Sequence, residues 1–347
     1  MATSHSPNHE EYAVMIMKKL INNPDNLVQE LLEGFVLANQ QKVALAPSNL
    51  VVRVCPKPAD KVAVVTLGGS GHEPALSGYV GEGMLDISVP GEIFAAPGPP
   101  RVLDALRLAK RDAGILFIVL NHAGDVLSAN VAAGLAAKEG ILLRRVLTHD
   151  DISGGSRDTP EERRGLAGCL PVIKIAGAAA EKGYSLDECA RVAEKIEAGM
   201  ATLAVAISGA THPSTGEVIA EIADGRMVVG MGQHGEAGGG EQALATADKT
   251  AEIMLEPLLA DIEAQAGDEV FVMLNGTGAT TLMELYLILR RVKQILEARQ
   301  ITLTRSLVGE FLTVQEMAGF QMCVGRLDEE LKSLWDAPSN APVWVSK

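Results

Sequence analysis

Gly114-Ile-Leu-Phe-Ile-Val-Leu-Asn121 is an unbroken apolar run, and His122-Ala-Gly-Asp125 follows it at once. A run of this length and composition reads as a strand buried on both faces, as in a parallel sheet enclosed by helices. The flanks agree with that reading. A helical pattern from Arg101 to Asp112 enters the run after a turn at Pro97 to Pro100, and another from Val126 to Lys138 leaves it for a strand at Leu142 to Thr148. Upstream, a helix from about Pro24, with Asn23 as N-cap, presents Leu27, Val28, Leu31, Leu32 and Phe35 on one face. Strand Lys61 to Leu67 then runs into Gly68-Gly-Ser-Gly-His-Glu-Pro74, and a short strand follows at Leu85 to Val89. The two polar clusters, at His72 and Asp125, each lie just past the C-terminal end of a strand, where open α/β sheets place ligands.

The second half has a different texture. A polar loop at Ile152 to Arg164 leads to Ser185-Leu-Asp-Glu188, a capping box that opens a helix ending near Gly199. Strand Thr202 to Ser208 and a hairpin across Asp224-Gly225, returning through Arg226 to Gly230, imply antiparallel pairing. Beyond the glycine-rich loop at 230–240, the pattern predicts a long helix from Glu241 to Ala264 and a strand from Glu269 to Asn275. A helix from Thr280 to Arg299, strands around Leu303 to Leu312 and Phe320 to Val324, and a terminal helix complete it. With 347 residues, 47% of them hydrophobic, the chain can enclose two cores. The expected fold is therefore α/β with two domains, each a central mixed β-sheet covered by helices. They divide at 1–195 and 196–347, with the C-terminal tail expected to pack on the first.

A formal charge of −14 with no basic stripe argues against nucleic acid or an anionic membrane as partner. The longest apolar runs are of strand length, and residues 1–10 lack a basic-then-apolar signal, so a cytoplasmic location is expected. Cys55, Cys169, Cys189 and Cys323 have no metal or redox spacing and read as free thiols. Aromatic residues make up only 3%, too few for a base-stacking platform.

Two histidines stand in glycine-rich loops, His72 and, in Gly230-Met-Gly-Gln-His-Gly-Glu-Ala-Gly-Gly-Gly240, His234. Glycine lets backbone approach a small ligand, and an imidazole there can serve as base or nucleophile near neutral pH. The second loop formally matches Gly-x-Gly-x-x-Gly, but its glycines continue to Gly240 and a bulky histidine occupies the turn, so the dinucleotide context is missing. A nicotinamide-dependent oxidoreductase is thus the poorer alternative. No phosphate-binding Gly-x-x-x-x-Gly-Lys-Ser/Thr occurs. Asp125 taken alone reads as the N-cap of the helix beginning at Val126. His122, His149 and His212 have no glycine cradle and read as structural, and His5 and His9 sit in a polar N-terminal extension.

The combination changes these odds. Gly68-Gly-Ser-Gly-His-Glu-Pro74, Pro90-Gly-Glu-Ile-Phe94, Asn121-His-Ala-Gly-Asp125, His234-Gly-Glu236 and Leu334-Trp-Asp-Ala-Pro338, in this order, resemble the substrate-binding subunit of dihydroxyacetone kinases from about Met17 to the end. The resemblance implies that His234 adds to a ketose carbonyl to give a covalent hemiaminal, and that Gly69, Ser70, Gly71, His72 and Asp125 surround the ketose, with His72 as base. It also implies a homodimer that binds neither cofactor nor metal itself. ATP or ADP and Mg2+ would be carried on a separate nucleotide-binding subunit, with a phosphotransferase-system protein as possible donor. Some members of the family bind the ketose as coregulators of transcription factors without catalysis, which is the alternative reading. Two positions depart from the pattern, Leu120 where the family usually has Lys and Leu67 where it has a third glycine. Replacing an ammonium by an apolar group should alter which ketose fits, towards a four-carbon or branched one such as erythrulose or apulose.

Overall fold

The computed structural model describes residues 19–236 and 238–347, so the N-terminal extension with His5 and His9 lies outside the described residues. The apolar run at 114–121 forms strand β5 of a six-stranded sheet. In chain order the first half comprises α1 (Leu27–Ala38), β1 (Val43–Ala46), β2 (Leu50–Arg53), β3 (Ala63–Ser70), β4 (Ile87–Ile93), α2 (Pro99–Ala109), β5 (Ile115–Leu120), α3 (Ala123–Lys138) and β6 (Leu143–Thr148). Two helices follow, α4 (Cys169–Glu181) and α5 (Leu186–Ala198). The sheet order is β1-β2-β4-β3-β5-β6. Strands β4, β3, β5 and β6 are parallel, and the β1-β2 hairpin, which hydrophobic patterning alone does not reveal, adds an antiparallel edge. From β3 the chain crosses first to β4 on one side and later to β5 on the other. The crevice between the C-terminal ends of β3 and β5 is therefore a topological switch point.

The second half comprises β7 (Met200–Ala206), the short pair β8 (Ala210–Thr211) and β9 (Val218–Ile219), β10 (Arg226–Val229) and β11 (Gly240–Ala243). It continues with α6 (Ala247–Asp261), β12 (Glu269–Gly276), α7 (Leu282–Ala298), β13 (Thr302–Gly309), β14 (Gly319–Arg326) and α8 (Glu329–Trp335). Its sheet runs β11-β10-β7-β14-β12-β13, antiparallel except for β12 with β13.

Three sequence expectations need correction. The Asp224-Gly225 turn forms, with Arg226 N–H donating to Ala223 O at 3.1 Å, but it does not join a ladder across itself. The expected antiparallel pairing of 202–208 with 226–230 does form, as β7 with β10, but the tight hairpin is β10 with β11 across loop 230–239, the loop that carries His234. Residues 240–243 are strand, not the start of a helix, because pairing with β10 overrides the helical preference of Glu-Gln-Ala. Helix α3 begins at Ala123 with His122 in the extended N-cap conformation (φ −119°, ψ 140°), which places Asp125 in the first turn rather than at the cap.

Helices α2 and α3 cover the outer face of the first sheet, and α6 and α7 the outer face of the second. Between the sheets, α4, α5 and α8 share one core with residues of both, among them Val64, Leu116 and Ile118 from the first and Phe271, Met273 and Cys323 from the second. Every residue of α4 from Cys169 to Ala180 is buried. Close approach there needs glycine: a Cβ on Gly177 would stand 2.5 Å from Met84 Cα. The carboxylate of Asp150 accepts Leu166 N–H (2.8 Å) and Gly168 N–H (2.9 Å) at the entry to α4. After α8 the chain returns to the first half, where Asn340 N–H meets Glu82 O at 2.9 Å and Val343 N–H meets Gly78 O at 3.1 Å. No helix among the described residues is long and apolar enough to cross a membrane.

Candidate functional site

Strand β3 ends in Gly69-Ser70, and the turn that follows takes a left-handed conformation at Gly71 (φ +96°) that swings His72 across the end of the sheet. The second half clamps this turn. Thr313 N–H donates to His72 O (3.1 Å), Thr313 Oγ1 to Glu73 O (2.8 Å) and Gln315 Nε2 to Gly71 O (3.0 Å). Asn275, fully buried at the end of β12, holds the clamp in turn, its Oδ1 accepting Phe311 and Leu312 N–H and its Nδ2 donating to Leu312 O.

His234 rides on the β10–β11 hairpin. Arg164 Nη2 and Ser153 Oγ both donate to Gly230 O, at 2.9 and 3.0 Å, and Asp151 holds Arg164 through its Nε at 2.7 Å. Gly230 is left-handed (φ +80°), and a Cβ on Gly238 would lie 1.8 Å from Gly230 O, so the loop base accepts only glycine there. Glu236 folds back on its own turn, with Oε2 accepting His234 N–H (2.9 Å) and Oε1 facing His234 Nδ1 (3.2 Å).

The two loops meet. His72 Nε2 lies 3.1 Å from His234 Nε2, although 162 residues separate them. His72 Nδ1 faces Thr313 O at 2.7 Å and must carry a hydrogen, and burial together with the neighbouring charge of His234 drives this imidazole down to about 3. His72 is thus neutral at physiological pH with its Nε2 lone pair aimed at His234, so the proton in the contact belongs to His234. For Glu236, burial pushes the carboxyl up, but the hydrogen bond and charge of His234 outweigh it and hold the carboxyl at about 2. His234 therefore stands between a carboxylate on Nδ1 and a lone pair on Nε2.

Asp125 enters from the first turn of α3. It is buried, its Oδ1 has no hydrogen-bond partner among the described residues, and burial raises it to about 7 against the opposing charge of His234. The helix N-terminus should favour the charged form, and desolvation wins. These groups line a cavity of about 220 Å³ whose walls also include Gly69, Leu76, Phe94, Leu120, His122 and Leu312. Of the residues expected at the site, Gly69, His72, Asp125 and His234 line this cavity. Ser70 donates its hydroxyl to Gly91 O (2.8 Å) and faces an adjoining cavity, and Gly71 shapes the turn.

Sequence reasoning passed over His122, which lines the cavity with its ring centroid 5.5 Å from that of His234 and its Nε2 2.8 Å from Gly165 O. Burial, then the charge of His234, lowers it too. Its place directly after β5, inside the same motif as Asp125, was the available signal. His212 packs edge-on to Phe94 at 5.5 Å, whereas His149 pairs with Glu197 outside the cavity. His122, His234 and Glu236 also bring three ligand atoms within 4.8 Å of one another, a grouping compatible with a metal ion.

The Dak1 domain family matches residues 33–343. The dihydroxyacetone-binding subunit DhaK of PTS-dependent dihydroxyacetone kinase 2 from Listeria innocua is 38% identical over 328 residues, covering 94% of this chain and 98% of that protein. An L-erythrulose kinase from Pectobacterium atrosepticum is also 38% identical, over 94% of this chain but only 56% of its own length. Among solved structures, the dihydroxyacetone kinase operon co-activator Dha-DhaQ superposes with a TM-score of 0.86 at 30% identity, covering 91% of this chain and 98% of that one.

Proposed function

The chain belongs to the Dak1 domain family, and from that premise we propose that it is the ketose-binding subunit of a kinase. In this reading it captures a short ketose on His234 and readies the ketose's terminal hydroxyl for phosphorylation. The observation that carries this is the 3.1 Å contact between His72 Nε2 and His234 Nε2 in one cavity with Asp125. For capture, the Nε2 proton of His234 passes to the Nε2 lone pair of His72, and the freed nitrogen bonds to the carbonyl carbon. The same proton then moves to the former carbonyl oxygen, giving a hydroxyl, and with a second hydrogen kept on Nδ1 towards Glu236 the substituted ring is an imidazolium. Glu236, beside Nδ1 at 3.2 Å, balances that charge. Glycerol, with no carbonyl, is excluded by chemistry.

The tether sets the terminal hydroxyl in place, and His72 as base, together with Asp125, raised to about 7, takes its proton near neutral pH. Among the described residues no Lys or Arg lines the cavity, and two carboxylates do, which does not suit a triphosphate. ATP or ADP with Mg2+ then belongs to a separate nucleotide-binding subunit, charged by free ATP or by a phosphotransferase-system protein, and this chain works as a cytoplasmic homodimer. Buried Leu120, with Leu76 and Leu312, makes one wall apolar and favours a four-carbon or branched ketose, such as erythrulose or apulose, over dihydroxyacetone. Likeness to an L-erythrulose kinase supports that preference. Likeness to a co-activator supports the second reading, a ketose-binding coregulator. The presence of His72 and Asp125 favours the kinase.

Turnover of a ketose panel with ATP, Mg2+ and the cognate nucleotide subunit tests this. His234→Ala should abolish capture, seen as persistence of the carbonyl resonance of a 13C-labelled ketose. His72→Ala should still reach the captured state, but more slowly because water must take the His234 proton, while transfer falls by roughly 100-fold or more. Full transfer by the His72 variant refutes its role as base, and dihydroxyacetone as clearly the best substrate refutes the wall argument.

A further inference from the structure

The polar side chains that line the cavity have partners, except for two. His72 and His234 hold each other, His234 also holds Glu236, and His122 donates to Gly165 O. Of the four buried side-chain polar atoms that lack a partner among the described residues, two belong to residues lining this cavity, Asp125 Oδ1 and Gln233 Nε2. Asp125 is spoken for by the reacting hydroxyl. Gln233 is only 4% exposed, and its turn is fixed on both sides by Gly232 N–H to Glu236 O (3.0 Å) and Gly235 N–H to Gly232 O (3.2 Å). A buried amide nitrogen with no acceptor is costly unless a ligand completes it.

We propose that Gln233 is a specificity-determining residue whose carboxamide hydrogen-bonds a non-reacting hydroxyl of the captured ketose. The inference rests on the ketose reading given above. A carboxamide suits a hydroxyl because its two ends offer a donor and an acceptor, and rotation of the amide can present either to a group that itself both donates and accepts. Gln233 lines the same cavity as His234, so its amide is available to the remaining hydroxyl of a ketose tethered there, while the Leu120 wall offers no polar partner. Gln233 therefore supplies polarity that the wall lacks and selects for hydroxylation on the far side of the carbonyl.

The test pairs ligand and protein deletions. Dihydroxyacetone and hydroxyacetone share the carbonyl and one hydroxyl and differ in the second, and both are titrated calorimetrically into the complete chain, the wild type and Gln233→Met and Gln233→Leu variants. The wild type should bind dihydroxyacetone about tenfold more tightly than hydroxyacetone, the scale of one buried hydrogen bond. Both variants should reduce the ratio to about twofold or less, chiefly by weakening dihydroxyacetone. Two substitutions guard against one that misfolds. A ratio equal in wild type and variants overturns the role of Gln233. Loss of the 13C carbonyl resonance on the wild type, measured alongside, separates that outcome from failure of the ketose reading, in which no capture occurs and both ideas fall.

Discussion

Asp125 shows how a single carboxyl can be set against its own protein. Its pKa of about 7 in the folded chain exceeds the ordinary 3.8, so the folded state holds the extra proton between those values. The group therefore costs stability that grows as pH rises from about 4 and is complete above about 7. Asp125→Asn is expected to match the wild type in Tm near pH 4 and to exceed it by roughly 2–4 °C at pH 8. Its transfer rate should fall by about 100-fold or more, and the rise in kcat/KM through neutral pH should vanish. Thermal melts across pH and a pH–rate profile check both halves. An unchanged Tm at pH 8 would mean that the unpartnered oxygen finds a partner in solution.

At the scale of elements, the β10–β11 hairpin is the decisive device, because strand pairing at its base fixes where the His234 loop stands. Gly238→Ala would drive a Cβ to 1.8 Å from Gly230 O, so the loop must shift. Ketose affinity should fall by roughly tenfold or more, while Tm drops by less than about 3 °C, because Gly238 lies in a surface loop outside the hydrophobic cores. Calorimetric titration beside a thermal melt reads the split. This hairpin also marks where sequence reading stops. Strand β5 and the Ser185 capping box announce themselves locally, through an unbroken apolar run and through paired side-chain and backbone bonds. The β10–β11 ladder does not, since it joins residues on either side of a long loop, while Asp224-Gly225 and Glu241-Gln-Ala243 carry local signals for a different hairpin and a helix. His122 was missed for the same reason: its neighbourhood with His234 exists only after both halves fold.

At the scale of the whole molecule, α4 has no wet face from Cys169 to Ala180 and its core takes residues from both sheets. Neither half can expose that helix cheaply, so the chain is expected to unfold in one calorimetric transition, and bound ketose should shift all of it. Two resolved transitions, with only one moved by ketose, would show that the halves are energetically independent. The clamp of Thr313 and Gln315 on the His72 turn tightens the same coupling. The contact between His72 and His234 has one further consequence. If His234 captures a ketose as proposed, the single hydrogen between the two imidazoles is in store before any sugar arrives, and capture needs nothing from bulk solvent. A partner subunit can seal the mouth completely and the addition step still has its acid, its rate insensitive to buffer concentration.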